Sequence, residues 1–307
     1  MNNWKEFEKL VAKIYSDLQP DLKVTHNDKI IGKDTGIERQ IDVSIRANLA
    51  GHDLLIVVQA RKRKRPADVN AVGEFASVVK DVHASKGVLI CNTGFTKKAK
   101  KYASNIGIDL CSVHDAQSRD WELDIKIPLL WIDLLPQINF MFKCILEKGN
   151  SIPKDPKKWI FSTDYGKTRL IPLDTFVRLW NEGKLDRRCN IIRRLLPEQT
   201  DIKMLVGKRI WRPVESLEIQ YIVSRRAWLG YFKPTECMGI LDIIKDEFTA
   251  SYLNIGEIPM ERDESWKAIE DPEKVVVSTK GTLVTTERWQ ISVDEAIFKS
   301  FIAKKID

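Results

Sequence analysis

The sequence predicts a mixed α/β sheet flanked by helices over residues 1–118, followed by a β-rich α+β domain. Two observations carry this. In the first part, helical and strand-like apolar patterns alternate in the order α-β-β-β-α-β-α-β with short loops. After residue 150 the pattern changes to short strands separated by turns.

Trp4, Phe7, Leu10, Val11, Ile14 and Leu18 recur at helical spacing, so residues 3–18 form an amphipathic helix ending near Pro20, with Glu8 beside its apolar stripe. Strands follow over Lys23–Ile31, Arg39–Arg46 and Leu54–Arg61, joined by turn residues Asp34-Thr35-Gly36 and Ala50-Gly51-His52-Asp53. The unbroken apolar run Leu54–Val58 belongs to a central strand covered on both faces. Asp68 caps a helix running to about Ala84, with Val69, Val72, Phe75, Ala76 and Val79 on its apolar side. Lys86–Asn92 is a buried strand, Thr96 caps a lysine-rich helix to about Asn105, and Ile108–Val113 is the last strand of this part.

Residues 119–150 are a connecting segment in which Ile127–Lys148 is first strand-like and then helix-like. Residues 151–307 form the β-rich domain, with strands expected at Trp159–Thr163, Glu218–Ser224, Ser251–Ile255, Lys274–Ser278 and Thr282–Thr286. Helices are expected at Asp174–Glu182 and Val293–Ala303.

The 307-residue chain is 43% hydrophobic and carries a net charge of +7, which suits a globular protein with a polyanionic partner. Residues 1–118 hold 19 Lys+Arg against 14 Asp+Glu, and the remainder 31 against 29, so the anion-binding surface is expected in the first part. The five cysteines are scattered without C-x-x-C spacing, and the four histidines stand far apart, which argues against a zinc knuckle or disulfide scaffold. The first residues contain no apolar signal region, and Asp133 and Pro136 interrupt the longest apolar stretch; a reducing, cytoplasmic setting without a membrane span follows.

Three residues can do chemistry together. Asp42 lies in the second strand, and Gln59 and Arg61 stand two apart near the end of the third, on one sheet face. Phosphodiester hydrolysis needs oxygen ligands to hold Mg²⁺ and a cation to stabilise transition-state charge. Asp42 and Gln59 offer the oxygens, Arg61 contacts the phosphate, and Glu8 completes the metal shell through water. The run Arg61-Lys62-Arg63-Lys64-Arg65 is placed to touch successive DNA phosphates, and Lys97 and Lys98, at a capped helix start, can do the same or simply solvate a surface helix. Gly166-Lys167-Thr168 lacks the first glycine of a P-loop, since Phe161 occupies its place, and reads as a turn. Arg187, Arg188, Arg193, Arg194, Arg212, Arg225 and Arg226, interleaved with tryptophans, serve either recognition or the core of the second half.

The runs Arg39-Gln40-Ile41-Asp42-Val43-Ser44-Ile45-Arg46, Ile56-Val57-Val58-Gln59-Ala60-Arg61 and Lys64-Arg65-Pro66-Ala67-Asp68-Val69 resemble the Mrr-type restriction endonuclease domain of the PD-(D/E)xK nuclease superfamily. Ala84–Ile90 and Thr93-Gly94-Phe95-Thr96 extend the resemblance over about residues 3–113. It implies a restriction-endonuclease-like fold, with Asp42 as the strand aspartate, Gln59 at the position of a glutamate or glutamine, Arg61 at that of a lysine, and Glu8 as the helix glutamate of the metal site. Gln59 is a weaker Mg²⁺ ligand than glutamate, and the Arg61 guanidinium cannot serve as a general base.

Three readings follow. One is a Mg²⁺-dependent endonuclease, with Mn²⁺ as substitute, of restriction or phage-defence type; it acts on double-stranded DNA through a metal-activated water, as a homodimer if both strands are cut. Another is a DNA-binding or sensing protein that keeps the nuclease fold without the reaction. The third is a regulatory factor that works through its second half.

Overall fold

In the computed structural model, residues 3–118, 122–147, 149–196, 201–207, 209–278 and 281–304 are described; residues 119–121 of the expected connecting segment lie outside them. The first part contains α1 (Asn3–Leu18), β1 (Lys23–Ile31), β2 (Glu38–Leu49), β3 (His52–Arg61), α2 (Val69–Asp81), β4 (Lys86–Cys91), α3 (Lys97–Ile106) and β5 (Asp109–Asp115). Next come β6 (Ile127–Cys144), β7 (Phe161–Ser162), α4 (Pro172–Asn181), β8 (Arg193–Leu195), β9 (Lys203–Val206) and β10 (Ile210–Phe232). The chain continues through β11 (Cys237–Asp242), β12 (Glu247–Leu253), β13 (Lys267–Ile269), α5 (Pro272–Ser278), β14 (Val284–Arg288) and β15 (Ile297–Lys304).

Two compact units divide the chain, and neither is a single stretch. The first comprises residues 1–129, 230–266 and 273–284, and the second residues 130–229, 267–272 and 285–307. The linear boundaries expected from the sequence, 1–118, 119–150 and 151–307, therefore do not match these units. The cause is long-range pairing: β11 runs antiparallel to β5 with Ile240 opposite Val113, and β12 pairs in turn with β11.

The first unit holds a seven-stranded sheet in the order β1-β2-β3-β4-β5-β11-β12. The central pairs β3/β4 and β4/β5 are parallel and the others antiparallel. Phe7, Leu10, Val11 and Ile14 of α1 pack with Val43, Val58, Val88 and Ile90. A separate cluster joins Val72, Phe75 and Ala99 from α2 and α3 to Val57, Leu89 and Leu110. The parallel strand β4 thus sends alternate residues into two cores, which is why it is apolar and buried from Gly87 to Cys91. Gly87 permits the close approach of α2: a Cβ there would lie 2.5 Å from Val79 Cγ2. The expected caps hold, with Asp68 accepting from Ala71 N at 3.1 Å and Thr96 from Ala99 N at 3.2 Å. Gly107 closes α3 at φ +76°.

The second unit is built on the sheet path β6-β10-β9-β7, with β8 and β13 on β10 and β15 on β6. Its core is aromatic: Trp159 lies edge-on to Phe140 at 5.5 Å and to Phe142 at 5.2 Å, and Phe176 meets Tyr221 at 5.2 Å. Three expectations fail in the later part of the chain. Ile127–Cys144 is one continuous strand without a helical part; from Pro136 its burial alternates strictly, with Ile138, Phe140 and Phe142 inside. Lys274–Ser278 belongs to α5 because Pro272 presets the first helical turn. Val293–Ala303 is not helical: Ile297–Lys304 forms a strand parallel to β6, whose ladder overrides the helical spacing of its apolar residues.

Candidate functional site

The register of the β2/β3 hairpin, set by the turn after Leu49, runs from Leu49↔His52 to Val43↔Val58. Its regular pairs end one residue short of Asp42. There the Asp42 side chain bonds the neighbouring strand, its Oδ2 accepting the Ala60 N–H at 2.8 Å. This anchors the carboxylate between Gln59 and Arg61. On the other side, the β1/β2 register sets His26 opposite Val43 and Asp28 opposite Ile41, with Asn27 at φ +54° between them. His26 Nε2 lies 3.7 Å from Glu8 Oε2.

Glu8 and Asp42 are 7% and 9% exposed. Burial, then the negative charge of Asp42, pushes the Glu8 carboxyl from 4.5 up to about 7, with Lys5 opposing. Burial also raises Asp42, against the Ala60 N–H and the charges of Arg61 and His26, which pull it down. Asp42 is thus within electrostatic reach of both Glu8 and Arg61, and the nearby positive charge does not offset the cost of burying the two acids.

Gln59 supplies the most pointed observation. Its Oε1 is buried without a hydrogen-bond donor, and Arg61 Nε is buried without an acceptor. Among the described residues the other four orphaned side-chain atoms are all donors, so Gln59 Oε1 is the one buried acceptor with nothing to accept. A cation satisfies such an oxygen. Two carboxylates and a carboxamide are hard oxygen donors of the kind Mg²⁺ and Mn²⁺ take. Among the described residues no group of three or more His, Cys, Asp and Glu side chains is placed to hold a metal ion.

The cationic segments share one rim of this sheet. The loop after β3 and the loop after β4 are stitched together by Ala67 N to Gly94 O at 2.9 Å and Thr96 N to Ala67 O at 3.0 Å. Arg63 N donates to Asn92 Oδ1 at 2.7 Å, and Thr93 Oγ1 to Arg65 O at 2.8 Å. Lys64, Arg65, Lys97 and Lys98 are exposed. The two loops leave the C-terminal ends of the adjacent parallel strands β3 and β4, whose last pair is Arg61↔Cys91. Lys62 belongs to the same loop.

Sequence reasoning missed His26. The signal was present in the hairpin turn around Thr35, which fixes the register that brings His26 beside the Asp42 segment. Several arginines of the second unit are committed internally: Arg188 and Arg193 pair with Asp186, Arg194 with Glu218 and Arg212 with Glu147. Arg187 lies 4.4 Å over the Trp289 ring. Trp159 and Trp180 are fully buried core residues. The segment Asp164–Thr168 is a turn, with Asp164 accepting the Thr168 N–H at 2.8 Å.

A mixed sheet with helices on both faces is the restriction-endonuclease-like arrangement that the sequence predicts. Comparison with known families agrees: residues 1–117 match the Mrr_cat family, described as restriction endonuclease, so this part of the chain is similar to Mrr-type restriction endonuclease domains. No curated protein matches the chain. Among solved structures it is similar to AF1548, a protein of unknown function, at 21% identity and TM-score 0.30 over 36% of this chain and 57% of that one. It is also similar to the DNA modification-dependent restriction endonuclease AspBHI, at 20% identity and TM-score 0.24 over 34% of this chain and 27% of that one. A third similar structure is MspJI restriction endonuclease in complex with a 27-mer oligonucleotide, at 14% identity and TM-score 0.25 over 34% and 25% of the two chains. The chain spans 57% or less of the length of each.

Proposed function

We propose that the protein is a divalent-metal-dependent endonuclease of restriction or phage-defence type that hydrolyses double-stranded DNA in the cytoplasm. The observation that carries the metal assignment is the buried, donorless Gln59 Oε1 on the strand that also anchors Asp42 through the Ala60 N–H, taken with the buried carboxylates of Asp42 and Glu8. Asp42, Glu8 and Gln59 would hold Mg²⁺, or Mn²⁺ in its place. The ion, when bound, supplies Lewis acidity toward the scissile phosphate and an acidified water.

The chain's own residues do the rest. The Ala60 N–H fixes the Asp42 rotamer, so this ligand needs no reorganisation. Arg61 grips a phosphate oxygen and offsets charge building up on phosphorus. Arg63, Lys64, Arg65, Lys97 and Lys98, with Lys62 of the same loop, hold the flanking DNA backbone. Cleavage of both strands would use two such sites in a homodimer, with the second unit serving recognition or regulation.

A second reading, a DNA-binding protein without turnover, is favoured by Arg61 itself, because a guanidinium does not give up its proton. Incubating supercoiled plasmid and Mg²⁺ or Mn²⁺ with the protein and with Asp42→Ala separates the two. Metal-dependent conversion lost in the variant supports the enzyme. Retarded but uncut DNA with both proteins supports the second reading.

A further inference from the structure

The second unit contains a cavity of about 510 Å³ that none of the preceding chemistry uses. This volume lies in the range of small-molecule sites, roughly 300–1,000 Å³. Its walls come from five places in the unit: β7 and the segment after it, α4, β8 with Leu196, Ile202 just before β9, and β10. Leu170, Phe176, Leu179, Ile202, Leu217 and Ile219 make it predominantly apolar. Hydroxyls of Ser162, Thr163, Thr168 and Thr175 are also on its surface.

The charge of the lining is one-sided. Arg169 is its single ionisable residue, and no aspartate or glutamate lines the cavity. Arg169 is exposed and makes no ion pair among the described residues, whereas Arg178, Arg188, Arg193, Arg194 and Arg212 of the same unit each have a carboxylate partner. The first turn of α4 also meets the cavity, through Pro172 and Thr175, and its N-cap Ile171 has no side chain to satisfy the leading N–H groups. An unpaired guanidinium and an uncapped helix start on an otherwise apolar chamber both favour negative charge at that point. The β7 strand and the Asp164–Thr168 turn are rigidly tied, since Ser162 Oγ donates to Asp164 Oδ1 at 2.7 Å and accepts the Gly166 N–H at 2.8 Å.

The geometry points to a binding site in the second unit for a small amphipathic monoanion: an apolar body between α4 and β10, with its anionic group at Arg169. This makes the second unit a receptor for a small molecule, independently of whether the first unit cleaves DNA.

The test uses the full-length protein and two fluorescent probes with the same hydrocarbon body, 8-anilinonaphthalene-1-sulfonate and its uncharged counterpart N-phenyl-1-naphthylamine. The sulfonate is expected to bind saturably at one site per chain and at least about tenfold more tightly than the neutral amine. Thr175→Trp and Leu179→Trp, which fill the chamber from two positions on α4, are each expected to weaken sulfonate binding tenfold or more. Arg169→Gln is expected to remove most of the preference for the sulfonate. Circular dichroism identifies any filling variant that fails to fold, in which case the other decides. Absence of saturable binding, or binding unchanged in a folded filling variant, overturns the site. Equal affinity for the two probes, or a preference that survives Arg169→Gln, overturns the anionic assignment.

Discussion

The first unit buries the Glu8 and Asp42 carboxylates and leaves Gln59 Oε1 without a donor, while the second unit surrounds Asp186 with arginines. Asp186 receives Arg188 at 2.5 Å and Arg193 at 2.6 Å, which holds its carboxyl well below the ordinary range. Glu8 and Asp42 are shifted the opposite way. Both arrangements follow from similar residue types, and sequence composition does not distinguish them. The difference lies in what each leaves undone: a satisfied ion pair stabilises a surface, whereas buried acceptors without donors or cations are the kind of group the proposed metal would satisfy.

The sharpest way to break this contrast is to remove the central acceptor. Asp42→Ala is expected to lower metal-dependent plasmid cleavage by on the order of 10³-fold, in line with loss of metal-borne charge stabilisation, while salt-sensitive DNA retention stays within a few-fold. Cleavage that survives the substitution would move the chemistry elsewhere.

Next comes the titration of Glu8. Its folded pKa of about 7 exceeds the unfolded 4.5, so its contribution to stability is complete below 4.5 and is lost as pH rises through about 7. Without metal, unfolding free energy is expected to fall over that window by at most about 3 kcal/mol, and Glu8→Gln should flatten the slope. Excess Mg²⁺, which requires the ionised form, should restore stability on the alkaline side. Denaturant titrations across pH, with and without Mg²⁺, read all three effects.

A smaller effect is expected from the cationic loop. Lys64→Ala with Arg65→Ala should reduce the dependence of log affinity on log salt by about 2 and weaken DNA binding uniformly across sequences, as loss of two phosphate contacts requires. Fluorescence anisotropy against salt concentration measures it. Least affected of all should be Asp186→Asn: cleavage and DNA affinity are expected to remain within about twofold, whatever the change in melting temperature, because that acid already has its partners. A large loss of cleavage would erase the distinction between the two units.

Much of the first unit was legible because its signals are local. The caps Asp68 and Thr96, the turn at Gly36 and the apolar stripe of α1 each specify an element within a few residues of themselves. The convergence of Glu8 with Asp42 also followed, since one apolar face of α1 must lie on the sheet. What stayed hidden was long-range pairing. Nothing local to Cys237–Asp242 says that it extends the sheet beyond β5, and the apolar spacing of Ile297, Phe298, Phe301 and Ile302 suits a helix until β6 offers a ladder. Pro136–Cys144 is different, because its alternation is present in the sequence and only the preceding apolar run masks it. The unpartnered state of Gln59 Oε1 was likewise beyond reach, since it depends on every neighbour that fails to donate.

The most direct measurement is a Mn²⁺ titration of the full-length protein followed by electron paramagnetic resonance, compared with Asp42→Ala and Gln59→Leu. One saturable site per chain, abolished by the first substitution and weakened by the second, is the expected result. Equal Mn²⁺ uptake by all three proteins would mean that the buried oxygens at this rim hold no cation.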